Sequence, residues 1–114
     1  MTSIPSLDLM AFTEFQELMG ATRTHDWVTA LLALLDDTFP GSASDPVDRE
    51  RLFYAAHLIV GRAGIVGCAD LVEACVKVQE ACRAGSDLVL PYCAALLSAR
   101  QAVTALRGQI GGTD

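Results

Sequence analysis

The stretch Leu52–Gly67, LFYAAHLIVGRAGIVG, decides the fold because its apolar residues recur at helical spacing. One stripe of them follows offsets of four, seven, eleven and fourteen from its first member: Leu52, Ala56, Ile59, Ala63 and Val66. An α-helix turns by about 100° per residue, so these side chains share one face. We expect that face to be buried and His57, about 100 to 160° away, to be exposed at mid-helix.

Four further segments show the same period, and strand alternation is nowhere convincing. With the quoted stretch they predict five helices, at about Leu7–Met19, Thr24 or His25 to Phe39, Pro46–Val66, Ala69–Arg83 and Asp87–Arg107. Glycine and proline mark the breaks between them, at Gly20, Phe39-Pro40-Gly41, Gly67 and Ala84-Gly85-Ser86. Ser44 or Asp45 is expected to cap the third helix and Ser86 the fifth, while His25 is interpreted as a residue of the capping region of the second.

Short connections between amphipathic helices make neighbours antiparallel. The expected fold is therefore all-α, an up-and-down antiparallel four-helix bundle with a short additional N-terminal helix, in one domain spanning 1–114. The apolar residues expected in the core from the other helices are Leu7, Ala11, Phe15 and Leu18; Trp27, Ala30, Leu31, Leu34, Leu35 and Phe39; Leu71, Cys75, Val78 and Cys82; and Val89, Cys93, Leu96, Val103, Leu106 and Ile110.

Composition narrows the classes of function. The chain has 114 residues, 52% hydrophobic and 19% charged, which is typical of one globular domain. Its 8 Lys and Arg against 14 Asp and Glu give a net charge of −6, which argues against nucleic acid or an anionic membrane as partner. A protein partner or a small ligand remains.

Location and cysteine chemistry follow from two further patterns. No basic segment precedes a long apolar run at the N-terminus, and the uninterrupted apolar stretches are too short to span a bilayer, so we expect a cytoplasmic protein. The four cysteines are then expected to be free thiols. Cys68, Cys75 and Cys82 are spaced by seven, which suits small core residues on one helical face and not a zinc site.

The outward face of the third helix is unusual. Gly61 and Gly64 lie inside the helix, where each costs about 1 kcal/mol relative to alanine. Phe53 and Val60 flank His57 where charged residues would normally lie. One interpretation is a docking surface centred on a nucleophilic histidine; the other is a chance surface histidine beside glycines that let another helix pack closely.

Ala56, His57, Ile59, Gly61, Ala63 and Gly67 together resemble the signature of histidine-containing phosphotransfer (HPt) domains. That signature has an alanine–histidine pair, then an apolar residue, a glycine, an alanine and a glycine at two, four, six and ten places after the histidine. Leu71, Cys75, Val78 and Gln79 also fit the family's pattern for the next helix. The resemblance extends over nearly the whole chain.

The resemblance implies a phosphorelay protein and not an enzyme with kinase activity of its own. His57 would accept a phosphoryl group from an aspartate of one receiver domain and pass it to another, the receivers belonging to hybrid histidine kinases and response regulators. Phe53, Tyr54, Val60, Gly61 and Gly64 would form the surface on which the receiver docks. We expect no cofactor or metal in this chain, with Mg²⁺ on the receiver only, and a monomer.

Two departures from the family pattern affect this expectation. The lysine usually found three residues after the histidine is Val60 here, and the small Ser or Thr usually found two residues later is Arg62. Arg62 lies about 140° round the helix from His57, so it cannot replace the lysine in place. The alternative is therefore a degenerate HPt-fold binding module that docks a receiver or kinase domain without carrying phosphate.

Overall fold

The computed structural model describes residues 7–39 and 48–110, which contain five α-helices and no strand. The helices are α1 (Leu9–Met19), α2 (Ala21–Thr38), α3 (Arg49–Ile65), α4 (Ala69–Ala84) and α5 (Val89–Ile110). They pack against one another around a shared hydrophobic core, with a radius of gyration of 14.2 Å. The all-helical class expected from the sequence is confirmed.

Glycines with positive φ separate three pairs of helices. Gly20 (φ 85°) ends α1 and directly precedes α2, Gly67 (φ 92°) lies between α3 and α4, and Gly85 (φ 70°) ends α4. At Gly67 space is limiting as well, because an added Cβ would lie 2.8 Å from the backbone oxygen of Asp8. The backbone N–H of Asp8 donates to the oxygen of Gly67 at 2.8 Å and so ties the start of α1 to this turn.

The predicted start of α2 is wrong. The helix begins at Ala21, three residues before Thr24, because the glycine that ends α1 also permits an immediate restart. His25 consequently lies inside α2 with an exposed side chain, and its assignment to a capping region is wrong.

Aspartates cap three of the helices. Asp8 accepts from the backbone N–H of Met10 and Ala11, and Asp48 accepts from that of Arg51. Asp87 accepts from the N–H of Val89 at the start of α5. Asp48 thus caps α3. The expected caps, Ser44 or Asp45, lie outside the described residues, as do Pro46 and the expected loop.

The expected buried faces of α3 and α4 are largely correct. Every member of the α3 stripe is buried, as are Leu71, Cys75 and Val78 of α4, whereas Cys82 is half-buried. In α1 and α2 the predicted faces are shifted. Leu18 and Ala30 are exposed, Trp27 and Leu34 are half-buried, and Phe12 and Val28 occupy the core instead. Phe39 is buried as expected.

The face of α5 is the largest error. Val89 and Cys93 are exposed, Leu96, Val103 and Ile110 are half-buried, and the helix buries Ala95, Ala99, Ala102 and Leu106. Three of these four are alanines, so α5 approaches its neighbours through small residues and leaves larger ones outside. By length and composition α5 is also long and apolar enough to cross a membrane. This differs from the expectation based on uninterrupted apolar stretches, which are all too short to span a bilayer.

The packing order places α3 between α2 and α4, and α5 between α4 and α2. Among the described residues no Cα atom of α3 lies within 8 Å of a Cα atom of α5. At the start of α3, the Arg49 guanidinium donates to the backbone oxygens of Ala81 (3.1 Å) and Ser86 (2.7 Å), which belong to the end of α4 and the turn after it. Since the other end of α3 leads directly into α4, these two helices are antiparallel.

Candidate functional site

His57 lies in the middle of α3 with an exposed side chain, as the sequence predicted. Its imidazole leans towards α4, where His57 Nδ1 lies 3.4 Å from the side-chain amide of Gln79. This contact holds one ring nitrogen against the protein. The other nitrogen, Nε2, carries no protein hydrogen bond within the described ranges and is available to a partner.

A second contact bridges α3 and α4 one turn away. The Arg83 guanidinium carbon lies 5.3 Å from the centre of the Phe53 ring, within the range of a cation–π interaction. Phe53 precedes His57 by four residues, and Arg83 follows Gln79 by four. The two cross-contacts are therefore about one helical turn apart, and Arg83 brings a permanent positive charge to the same face as the histidine.

The other side of His57 is an exposed apolar patch that we call the α3 patch: Tyr54, Leu58 and Ile65, which are 61%, 49% and 51% exposed. The patch surrounds Gly61, which lies one helical turn after His57 and has no side chain. The surface at that turn therefore consists of bare backbone. Clusters of exposed large apolar side chains are typical of protein–protein contact sites.

The two helical glycines have no packing role that requires glycine. A Cβ added at Gly61 would meet nothing within 4 Å, and one at Gly64 would meet only Val72 Cγ2 at 3.7 Å, an ordinary contact. Neither glycine has a positive φ. The interpretation that they admit a neighbouring helix therefore fails for Gly61, whose open side faces solvent.

Val60 and Arg62 do not supply a charge beside His57. Val60 is half-buried and packs against the core. Arg62 lies on the α2 side, where its guanidinium carbon is 5.4 Å from the centre of the Trp27 ring and its backbone oxygen accepts from Trp27 Nε1 at 3.3 Å. The structure thus places Phe53, His57 and Gly64 towards α4, and Tyr54 and Gly61 on the open side.

Four residues of this surface were not predicted to lie beside His57, although Gln79 was noted as part of the family's pattern for the next helix. Gln79 and Arg83 are an i, i+4 polar pair on the edge of α4, and Leu58 and Ile65 are an i, i+7 apolar pair outside the buried stripe of α3. Both spacings are visible in the sequence, but only the packing of α3 on α4 shows that the two pairs flank the same histidine.

The chemistry available here is that of an exposed nucleophile. Imidazole attacks electrophiles through an unprotonated ring nitrogen. Within the described part of the chain no group of three or more His, Cys, Asp or Glu side chains is placed to hold a metal ion. The face combines an exposed imidazole, the Arg83 guanidinium and an exposed apolar patch.

Comparison with protein-family models, with curated proteins and with solved structures finds no match to this chain.

Proposed function

We propose that this protein is a histidine phosphotransfer protein of a two-component phosphorelay. The observation that carries the proposal is the exposed His57 beside Gly61, a helical glycine with open space around it. The motif resemblance supplies the class of partner, receiver domains of hybrid histidine kinases and response regulators. On this proposal, the helices α2–α5 form the up-and-down antiparallel bundle of that family in the cytoplasm, with α1 against one end.

The chemical step would be an in-line transfer between two side chains. The lone pair of His57 Nε2 attacks the phosphorus of an aspartyl phosphate on the receiver. A nitrogen–phosphorus bond forms as the phosphorus–oxygen bond to the aspartate breaks, and the carboxylate leaves with the electron pair. The reverse step on a second receiver completes the relay. Such transfers depend mainly on positioning and on charge stabilisation, and the receiver's Mg²⁺ and lysine would supply most of the charge.

Gln79 would fix the reacting tautomer. Attack through Nε2 requires the proton on Nδ1, and that proton needs an acceptor. The side-chain amide of Gln79 has a donor, Nε2, and an acceptor, Oε1, at the same distance from its Cδ. A rotation of the amide by 180° therefore places Gln79 Oε1 at the position from which Gln79 Nε2 contacts His57 Nδ1. Gln79 is thereby a positioning residue for the ring.

Arg83 would contribute the charge that the family places at the position of Val60. Its side chain lies on the Phe53 ring about one turn from His57, and an arginine side chain is long enough to swing across such a distance. A guanidinium binds phosphoryl oxygens through several N–H groups. We therefore assign to Arg83 the attraction of the phosphoryl group before transfer and its stabilisation on His57 afterwards.

The absence of a lysine at Val60 favours a second candidate, a degenerate HPt-fold module that docks a receiver or kinase domain without carrying phosphate. In that case the α3 patch and Gly61 would still bind the receiver, but His57 would stay unmodified. Binding is common to both candidates, and only covalent transfer separates them.

The test is phosphoryl transfer from a phosphorylated receiver domain, measured as acid-labile label on this chain. We expect labelling of the wild type and none of His57→Gln. The matched control is His25→Gln, which changes the other exposed histidine, in α2, and should be labelled normally. Both variants should keep the circular dichroism of the wild type, since exposed polar substitutions change stability by less than about 0.5 kcal/mol.

Two outcomes would contradict phosphotransfer by His57. Labelling of His57→Gln would place the acceptor elsewhere. Receiver binding by the wild type without labelling would favour the degenerate module. If labelling is seen, Arg83→Gln should slow it and Val60→Lys should restore the rate in the Arg83→Gln background.

A further inference from the structure

A cleft of about 340 Å³ lies between the second half of α2 and the middle of α5. This volume falls within the range of small-ligand pockets, about 300 to 1,000 Å³. The apolar side chains that line the cleft are buried or half-buried: Leu32, Leu35, Phe39, Leu96, Ala99 and Val103. The cleft therefore has an apolar floor and apolar walls.

The exposed rim of the cleft is polar and consists of Asp36, Arg100, Thr104 and Arg107. The ring centres of Phe39 and Tyr92 are 5.3 Å apart, so the end of α2 lies beside the start of α5 and the two helices are antiparallel. Asp36, one turn before Phe39, is then level with the second turn of α5. At about 1.5 Å per residue, Arg100 and Arg107 lie about 8 and 18 Å beyond that level. The negative charge and the two positive charges thus occupy opposite ends of the cleft.

The two arginines form its cationic end. Arg100 and Arg107 are seven residues apart on the same side of α5. Between them lies Thr104, whose hydroxyl donates to the backbone oxygen of Arg100 at 3.2 Å. Neither guanidinium forms a salt bridge within residues 7–39 and 48–110. In a chain with a net charge of −6, two such cations beside an apolar floor are complementary to an anion that carries an apolar chain.

We propose that this cleft binds a medium-chain carboxylate. The carboxylate group lies between Arg100 and Arg107, and the alkyl chain runs over Leu35 and Ala99 towards the level of Asp36. At about 30 Å³ per heavy atom, 340 Å³ holds about eleven heavy atoms, as in an acid of roughly eight to ten carbons.

Charge fixes the class and the orientation of this ligand. A carboxylate at the opposite end would meet the like charge of Asp36, and an alkylammonium would meet like charges at the arginines. The proposal does not rest on phosphotransfer. The lining residues belong to α2, to Phe39 directly after it and to α5, whereas His57 is in α3 and leans towards α4.

Titration of the full ¹⁵N-labelled chain with octanoate, followed by NMR, tests the proposal. We expect saturable shifts in the amides of cleft residues on both helices, with a dissociation constant of about 0.1 to 1 mM. Octan-1-ol has the same alkyl chain without the charge and should bind at least about tenfold more weakly, as should octylammonium.

Substitutions on the rim test the charges without disturbing the floor. Arg100→Gln and Arg107→Gln should each raise the dissociation constant of octanoate about three- to tenfold and leave that of octan-1-ol unchanged. Asp36→Asn should not weaken octanoate binding. The matched control is Arg23→Gln, which removes the same charge from an exposed position of α2 outside the cleft and should leave octanoate binding unchanged.

Three results would overturn the proposal. The first is the absence of saturable shifts in the cleft at about 10 mM octanoate. The second is octanoate binding that both arginine variants leave unchanged. The third is equal affinity for octanoate and octan-1-ol, or shifts centred on the α3 patch or on Leu90 and Leu97, which would indicate general adsorption to exposed apolar surface.

Discussion

Replacing Gly61 should increase stability and decrease function, and the structure gives a magnitude for the first effect. Gly61 is inside α3 with no positive φ, and an added Cβ meets nothing within 4 Å. The substitution Gly61→Ala should therefore recover most of the helix-propensity difference, about 1 kcal/mol. In a domain of this size that corresponds to a rise in Tm of about 4 °C. Gly61→Gln should raise Tm by slightly less.

The functional effect has the opposite sign because Gly61 lies one turn from His57 on the open side. A side chain there stands between the imidazole and an approaching aspartyl phosphate. A displacement of about 1 Å can slow a reaction by about a hundredfold. We expect Gly61→Ala to slow phosphotransfer modestly and Gly61→Gln to slow it by at least about tenfold, with weaker receiver binding. The assays are thermal denaturation by circular dichroism and single-turnover transfer from a labelled receiver.

The matched control is Gly108, which also lies in a helix with nothing within 4 Å of an added Cβ. It belongs to the last turn of α5, where fraying makes the gain in stability smaller. Gly108→Ala and Gly108→Gln should leave transfer and receiver binding unchanged. Normal transfer and binding by Gly61→Gln would contradict this prediction, since the receiver would then not approach over this turn.

Three further predictions concern stability. Gly67→Ala should destabilise the protein by more than about 2 kcal/mol in chemical denaturation, because φ is 92° and the new Cβ would meet the backbone oxygen of Asp8 at 2.8 Å; an unchanged midpoint would contradict this. Arg49→Met should lower the free energy of unfolding by about 1 to 2 kcal/mol, because two carbonyls at the end of α4 lose their donor; equal stability would show that water replaces it. Burial raises the pKa of Cys68 to about 11 and of Cys75 to about 12 from an ordinary 9.0. Both thiols therefore ionise at lower pH in the unfolded chain than in the folded one, and the free energy of unfolding should fall as pH rises from about 9 towards 12. Cys75→Ala should make that fall less steep, and a slope equal to that of the wild type would contradict the prediction.

The helices and their breaks could be predicted because each depends on local chemistry. Gly67 and Gly85 end helices with positive φ, a conformation that glycine adopts without strain. The buried stripe of α3 was also predictable, because its period is regular and its outward side contains glycine and histidine. The start of α2 was not, because Gly20 serves two helices at once and no side chain marks the boundary.

The orientation of α5 could not be read from its own sequence. Bulky residues occur on both sides of this helix, and the side that is buried carries the small residues Ala95, Ala99 and Ala102. Similarly, His57 could be singled out from its motif, but its neighbours Gln79 and Arg83 belong to another helix. Which residues meet across two helices depends on their packing, which a single segment does not encode.

NMR of the labelled protein tests most directly whether His57 carries a phosphoryl group on Nε2. After incubation with a phosphorylated receiver, one- and two-dimensional ³¹P and ¹⁵N spectra of the ¹⁵N-histidine-labelled chain identify the phosphorylated ring nitrogen. We predict a single acid-labile phosphohistidine at Nε2 of His57, with Nδ1 protonated and with the resonances of His25 unchanged. Phosphate on Nδ1 would contradict the role given to Gln79, and phosphate on any other residue, or none at all despite receiver binding, would contradict the proposed phosphotransfer function.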